Sequence, residues 1–160
     1  MIIDTSSLVA ILRQEADAPA FVEAIRSTRP RRMSAGSYLE LAIAIDAAGD
    51  PGASVLLDEL LWTLEITIEP VTEAQARIAR VAYRQYGRGT GSPAALNYGD
   101  CFVYALARDL GEPLLFKGED FTRTDIQFVG RREEREHLRE LLAPYGAGAQ
   151  YEAGSSGLAR

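Results

Sequence analysis

Four acidic residues are the part of this sequence best suited to chemistry, and each lies where a helix or a strand is expected to begin or end. They are Asp4, Glu40, Asp100 and Asp120. If they share one edge of the fold, their like charges repel, and all can stay ionised only if a cation neutralises them. Ligand sets made only of oxygen favour hard divalent ions such as Mg²⁺, which Mn²⁺ can replace. Such an ion can activate water and stabilise the charge that develops as a phosphodiester is hydrolysed, so the acids predict metal-dependent cleavage of nucleic acid.

Asp100 lies in the most apolar stretch of the chain, residues 96–107, which reads Leu-Asn-Tyr-Gly-Asp-Cys-Phe-Val-Tyr-Ala-Leu-Ala. The residues after Gly99 leave no polar face, so this stretch predicts a central helix that is covered on most sides. An acid in the first turn of a helix is held in its ionised form by the helix dipole. Asn97 and Asp100 also have the spacing of a capping box, which is a purely structural alternative.

The other acids also have structural alternatives. Ser37 and Glu40 have capping-box spacing, while Asp4 can be read as an N-cap or turn residue. Glu40 is flanked by apolar residues at 38–39 and 41–42, and we expect it to be partly desolvated. A desolvated carboxylate needs a partner, which a metal or a hydrogen-bonding neighbour would supply.

The single cysteine and single histidine exclude several other kinds of site. One thiol forms no internal disulfide, and two such residues do not make a structural zinc site. A Cys–His nucleophile is not supported either, because His137 lies in a highly charged segment far along the chain from Cys101. We interpret Cys101 as a small core residue.

The net charge of −6, from 23 acidic and 17 basic residues, argues against indiscriminate binding to nucleic acid but does not forbid a nucleic-acid substrate. Several basic residues either form a local rim for a substrate or are scattered, solvated charges; they are Arg29, Arg31, Arg32, Arg84, Arg88, Lys117 and Arg123. No aromatic stacking platform is evident, so specificity would have to come from loops. The glycine-rich residues 87–93 either let a substrate backbone approach or form a plain surface loop.

Alternating strand and helix patterns surround these residues. Strands are predicted at residues 1–3, 31–34, 66–69, 114–116 and 126–129, and helices at 5–12, 17–27, 37–47, 53–63, 72–86 and 96–107. This order predicts an α/β fold with a mainly parallel central sheet between helical layers, whose strand ends share one edge. The length of 160 residues suits one domain.

The two ends of the chain differ in character. The first residues lack the basic region and the apolar length of a signal peptide, and no apolar run is long enough to span a membrane, so a cytoplasmic location without membrane association is expected. After a domain at residues 1–130, we expect an appended charged helix at 131–142 and a disordered tail at 143–160, which is rich in Pro, Gly, Ala and Ser.

Four stretches in this order resemble a PIN-domain ribonuclease toxin of the VapC family, from type II toxin–antitoxin systems. They are Met-Ile-Ile-Asp-Thr-Ser-Ser-Leu-Val-Ala from Met1, Ser-Tyr-Leu-Glu-Leu-Ala from Ser37, the stretch from Leu96 to Ala107, and Pro-Leu-Leu-Phe-Lys-Gly-Glu-Asp-Phe from Pro113. The resemblance covers about residues 1–130 and implies the PIN-like three-layer α/β/α sandwich.

The resemblance also implies an activity. It predicts a Mg²⁺-dependent endoribonuclease that cleaves structured RNA, such as transfer or ribosomal RNA, and that is blocked by a VapB-like antitoxin made beside it. A homodimer is expected as well. A cluster of acids is a natural receptor for an arginine, so the antitoxin should insert a basic side chain there.

By the same resemblance, Asp4, Asp100 and Glu40 surround the metal, with Glu40 bound directly or through water, and Ser6 supports them. The fourth acid is less defined, because many relatives carry Asp or Asn where this chain has Gly118. Asp120 is the first choice, and Glu119 is the alternative.

Two rival hypotheses belong to other functional classes. In a receiver-like phosphoacceptor domain, Asp4 would bind Mg²⁺ and Lys117 would follow the final strand, but the third strand ends at Glu69-Pro70 and offers no phosphorylatable aspartate. In a non-catalytic α/β binding module, the acids would all be helix caps.

Overall fold

Four short parallel strands form the centre of the fold in the computed structural model, which describes residues 1–129. The strands are β1 (Ile2–Ile3), β2 (Arg32–Ser34), β3 (Thr67–Glu69) and β4 (Leu114–Leu115), in the spatial order β3-β2-β1-β4. The helices are α1 (Thr5–Leu12), α2 (Ala18–Arg26), α3 (Ala35–Asp46), α4 (Pro51–Thr63), α5 (Glu73–Tyr86) and α6 (Tyr98–Leu110), and a 3-10 helix follows at Asp120–Arg123.

The sheet separates two apolar cores. Ile3 and Leu115 face the core that α1, α2, α3 and α4 fill, whereas Ile2 and Leu114 face the core that α5 and α6 fill. Ile2 pairs with Leu114 and Ile3 with Leu115, so the alternation of side chains along paired strands places one layer of helices on each face. The predicted three-layer α/β/α sandwich with a parallel sheet is therefore confirmed.

The predicted central helix is α6, and seven of its residues, most of them apolar, are buried. It packs against α5 with the opposite chain direction: the Gln75 side chain near the start of α5 donates to Asp109 near the end of α6 (3.0 Å), and the Leu96 N–H before α6 donates to the Tyr86 carbonyl (2.9 Å). The start of α6 is thereby held beside the end of α5. Within residues 1–129, no helix has both the length and the apolar character needed to cross a bilayer.

Two sequence predictions about local structure are wrong, and those for the end of the chain concern residues that the structure does not describe. Helix α3 begins with Ser34 as its N-cap, so Ser37 and Glu40 lie inside the helix and form no capping box. The predicted last strand is reduced to one parallel bridge, between Leu114 and Phe128. The predicted helix at 131–142 and tail at 143–160 lie outside the described residues.

A buried arginine organises the edge of the sheet where β2 begins. Arg31 is 7% exposed, and its guanidinium donates hydrogen bonds to the carbonyls of Arg26 (2.7 Å), Thr28 (2.9 Å) and Leu64 (2.8 Å). These carbonyls lie at or just after the ends of α2 and α4, where the helix supplies no N–H partners. Arg31 therefore joins two helix ends to the sheet through one charged side chain.

Replacing Arg31 with Met should destabilise the fold by about 2–4 kcal/mol, because a side chain of similar length leaves partly buried carbonyls without a donor. The measurement is urea unfolding followed by circular dichroism.

The matched control is Arg29→Met. Arg29 lies two residues earlier on the surface, where it forms an ion pair with Glu65, and its replacement should change stability by no more than about 0.5 kcal/mol. Equal losses for the two variants would show that the three carbonyl contacts contribute little.

Candidate active site

Asp4 occupies the point where β1 ends and α1 begins. It is the N-cap of α1, and its Oδ2 accepts hydrogen bonds from the Ser6 N–H (2.9 Å) and from the Ser6 hydroxyl. Its side chain is buried, since the residue is 6% exposed. Burial raises the pKa of Asp4 above its usual value, the Ser6 hydrogen bonds oppose that rise, and the nearby Glu40 charge adds to it. The N-cap alternative is therefore correct, although it does not remove the cost of burying this charge.

Ser6 connects Asp4 to the segment that follows β4. Its hydroxyl donates to the Asp4 carboxylate and accepts the backbone N–H of Lys117 at 2.9 Å. The backbone of Asp4 also reaches the same strand, because its N–H donates to the Leu115 carbonyl (2.9 Å). The carboxylate is thus fixed relative to both β1 and β4.

Asp100 lies in the first turn of α6 and belongs to a capping box. Its Oδ2 accepts the Asn97 N–H (2.7 Å), and its own N–H donates to the Asn97 side chain (3.0 Å). Burial is the main cause that raises the pKa of Asp100, and the charges of Asp4 and Asp120 raise it further, while Arg88 lowers it. Asp100 therefore forms the predicted capping box, as Asp4 forms the predicted N-cap. It also lies close to the negative charges of Asp4 and Asp120.

Glu40 reaches the same place from α3. Its side chain is exposed, so the expected desolvation was wrong: the apolar residues beside it in the sequence point elsewhere around the helix. A methyl group at Gly99 would lie 2.2 Å from Glu40 Oε2, which means that the carboxylate rests where a side chain on α6 would otherwise be. This contact holds Glu40 next to Asp100.

The sequence did not single out Gly99. Its signal is a glycine at the second position of an otherwise apolar helix, with no positive φ that would require one. The structural reason is the close approach of a side chain from another helix, which local spacing does not reveal.

The fourth acid, Asp120, begins the 3-10 helix and is close enough to raise the pKa of Asp100. The alternative, Glu119, accepts a hydrogen bond from the Thr122 hydroxyl within its own turn (3.3 Å). The geometry therefore favours Asp120 as the fourth member of the group.

Four separate elements thus bring Asp4, Glu40, Asp100 and Asp120 to the edge where the parallel strands end, and we refer to these residues as the acid cluster. In the described part of the chain, no three His, Cys, Asp or Glu side chains are grouped tightly enough to hold an ion together. The donor set nevertheless fits a hard cation, because all donors are carboxylate oxygens, two of them carry raised pKa values, and Mg²⁺ is commonly held by one or two carboxylates with water completing its shell.

The basic residues do not form the single rim that was considered. Arg31 and Arg32 begin β2 at the opposite edge of the sheet, where Arg32 pairs with Glu69 and Glu112 (3.0 Å). Lys117 is near the acid cluster, but its ammonium pairs with Glu15 and Asp17 (3.0 Å). Arg88 is close enough to lower the pKa of Asp100 and supplies a positive charge beside the acids.

Cys101 is a core residue, as expected. Its thiol is buried and donates to the Asn97 carbonyl (3.2 Å). Burial, followed by the Asp100 charge, raises the pKa of Cys101 to about 11, so the thiolate needed for nucleophilic attack is suppressed at neutral pH.

The absence of an evident aromatic platform stays a prediction, but one aromatic side chain of α6 is exposed. Tyr98, the first residue of α6, is 77% exposed. The sequence grouped it with the buried residues of the same apolar stretch, although the first residue of a helix need not share the face that its later turns bury.

Comparison with known proteins places this geometry in a family. The PIN domain model matches residues 1–127. Ribonuclease VapC28 of Mycobacterium tuberculosis is 55% identical over 127 residues, which cover 79% of this chain and 96% of the relative. Ribonuclease VapC30 of the same organism is 51% identical over 130 residues, covering 81% of this chain and 98% of the relative.

Solved structures agree on the fold. The crystal structure of Mycobacterium tuberculosis VapC20, described as a sarcin-ricin loop cleaving toxin, matches with a TM-score of 0.63 at 18% identity, over 81% of this chain and 98% of that one. A toxin–antitoxin complex from Klebsiella pneumoniae matches with a TM-score of 0.57 at 16% identity, over 75% of this chain and 88% of that one. Because the family model spans most of the chain and the relatives share half of their residues over nearly their full length, the chain belongs to the PIN domain family and to the VapC ribonucleases within it.

Proposed function

We propose that this chain is a Mg²⁺- or Mn²⁺-dependent endoribonuclease, the toxin of a toxin–antitoxin pair, and that it cleaves structured RNA at the acid cluster. The observation that carries the proposal is the convergence of four carboxylates from separate elements. Burial is the main cause that raises the pKa of Asp4 and of the half-buried Asp100, and in each case the charge of another cluster member raises it further. Such a group is stable in its ionised form only with a cation, and a helix cap alone has no need of the other acids.

In this proposal each residue of the acid cluster has a separate role in binding the ion or the water. Asp4 and Asp100 would hold the ion, Ser6 fixes Asp4, and Glu40 and Asp120 would contribute further carboxylate oxygens, directly or through water. When bound, the ion lowers the pKa of water and stabilises charge on the phosphodiester. Glu40, whose side chain is exposed, would orient the attacking water and accept its proton, while Arg88 would bind a phosphate oxygen of the RNA.

Replacing Asp4 with Asn should raise the melting temperature of the metal-free protein, because Asn remains a good N-cap and removes a buried charge. The stabilisation by Mn²⁺, about 2.7 kcal/mol at a hundred times the Kd, should shrink, and RNA cleavage should fall at least ~100-fold. The same changes are expected for Asp100→Asn. Thermal melts with and without Mn²⁺, together with cleavage assays on total cellular RNA, measure these quantities.

Asp50→Asn is the matched control, since Asp50 is the N-cap of α4, accepts the Gly52 N–H (2.9 Å) and is not a member of the acid cluster. It should leave the Mn²⁺ response and cleavage unchanged. If Asp4→Asn and Asp100→Asn behave like this control, the acids are only caps and the protein is a binding module rather than a metal-dependent nuclease.

A second test moves Glu40 without changing any charge. In Gly99→Ala the new methyl group displaces the flexible end of Glu40, while alanine favours the helix by about 0.5–1 kcal/mol. We expect an unchanged or slightly higher melting temperature and a loss of cleavage of about 10- to 100-fold, the scale that follows from small misplacements at active sites.

The control is Gly52→Ala, which makes the same change at the second residue of α4. There the nearest atom is Asp50 Oδ1 at 3.2 Å, and no member of the acid cluster is involved. Full cleavage by Gly99→Ala would remove Glu40 from the proposed mechanism.

The proposed antitoxin has two features to bind. A basic side chain fits the acid cluster, and apolar side chains fit a pocket of about 270 Å³ between α1, α3 and α4. The pocket is lined by residues that include Val9, Leu12, Leu41, Ile45 and Leu56. The likeness to a toxin–antitoxin complex supports a protein partner of this kind.

Expression of the chain alone should arrest growth, and co-expression of the small protein encoded beside it should relieve the arrest. Leu56→Glu places a charge on the rim of the pocket, where Leu56 is 56% exposed, so this variant should still arrest growth but escape relief. Trp62→Glu, at the other end of α4, is the control and should stay relieved. Harmless expression of folded, metal-binding protein would contradict the toxin proposal.

A further inference from the structure

Tyr98 is an exposed aromatic residue at the start of α6, the helix that supplies Asp100 to the acid cluster. It is the first residue of α6, and the next two residues are Gly99, which contacts Glu40, and Asp100. Consecutive Cα atoms are 3.8 Å apart, so the Cα atoms of Tyr98 and Asp100 are separated by no more than about 7.6 Å. An exposure of 77% leaves at least one face of the ring open.

The ring of Tyr98 packs against the ring of Phe102, one turn later in the same helix. Its centroid lies 5.0 Å from that of Phe102, and the two rings meet edge to face at 85°. Phe102 in turn packs against Gly36 of α3, where an added methyl group would lie 2.7 Å from the Phe102 ring. Two helices therefore hold an open aromatic surface in a defined orientation.

An open, supported ring suits a flat, apolar ligand. Unpaired nucleobases stack on such rings, and each stack contributes about 1–3 kcal/mol without selecting strongly among bases. The charges around the site make such a contribution valuable, because the acids repel phosphates and the nearby Lys117 ammonium is paired with Glu15 and Asp17. Stacking adds affinity that does not depend on positive charge.

We propose that Tyr98 is a stacking site for an unpaired nucleobase of the RNA, next to the phosphodiester that the acid cluster cleaves. The inference rests on the proposed ribonuclease function and adds a substrate contact to it. It explains how an acidic protein holds RNA at an acidic site, and it implies that cleavage occurs where the RNA is single-stranded, in loops or bulges.

The test uses the full chain carrying Asp4→Asn, which should bind RNA without cleaving it, and a fluorescein-labelled ten-nucleotide RNA of mixed sequence, either single-stranded or as a duplex. Adding Tyr98→Ala should weaken binding of the single strand by about 5- to 150-fold, measured by fluorescence anisotropy in Mg²⁺ buffer. The factor should be the same at low and high salt, because no charge is removed, and duplex binding should hardly change. Tyr98→Trp and Tyr98→Phe should retain the affinity.

The control is Trp62→Ala, which removes an exposed aromatic ring (85% exposed) on α4 rather than beside the acid cluster and should leave RNA binding unchanged. With Asp4 intact, Tyr98→Ala should raise KM for RNA cleavage more than it lowers kcat. Unchanged single-strand affinity, an equal loss for Trp62→Ala, or a change only in oligomeric state by light scattering would overturn the stacking site and leave the ribonuclease proposal standing. Failure of the Asp4→Asn parent to bind either RNA would instead overturn both.

Discussion

The cost of burying the Asp4 carboxylate is the constraint on which this structure depends most. Two hydrogen bonds from Ser6 and the start of α1 offset part of that cost, and burial still dominates the pKa of the group. The remaining acids increase the cost, since none of them neutralises Asp4. A fold that retained this arrangement for stability alone would gain by replacing it, because an uncharged cap satisfies α1 equally well. Under the proposed function, a bound cation would offset this cost.

The parallel sheet is what makes such an arrangement possible. Each strand is only two or three residues long, and β1 and β2 pass directly into α1 and α3. Side chains at the strand ends therefore lie side by side at one edge, close to the N-termini of helices. The opposite edge has the reverse chemistry, because Arg31 there donates to carbonyls near the ends of α2 and α4. One edge of the sheet carries the carboxylates that suit a cation. At the opposite edge the Arg31 guanidinium is itself the cation.

Much of this could be predicted from the sequence, because the relevant signals were local. The order of elements follows from periodicity, and Asp4 and Asp100 follow from an acid placed after a strand or before an apolar helix. The failures have two physical origins, which are the rotation of successive side chains around a helix and contacts between elements distant in sequence. Glu40 was expected to be desolvated by its sequence neighbours, but a helix turns those neighbours away. The Glu40–Gly99 contact and the packing of Phe102 on Gly36 form only when α3 packs against α6, and the hydrogen-bond partners of Arg31 come from two separate segments.

The donor and acceptor roles in the hydrogen bonds around Ser6 limit which residue types can replace Asp4 and Ser6. The Lys117 backbone N–H can only donate, so it fixes the Ser6 oxygen as an acceptor and leaves the hydroxyl proton for Asp4. The Lys117 N–H donates to the Ser6 hydroxyl, which in turn donates to Asp4 Oδ2. Successive hydrogen bonds of this kind strengthen one another. The network prescribes an accepting group at position 4 and a hydroxyl at position 6. A new chemistry at this edge of the sheet would therefore have to begin with changes to the Lys117–Ser6 hydrogen bonds. Any new side chain at position 4 would otherwise meet Ser6 groups that donate hydrogen bonds to it rather than accept them.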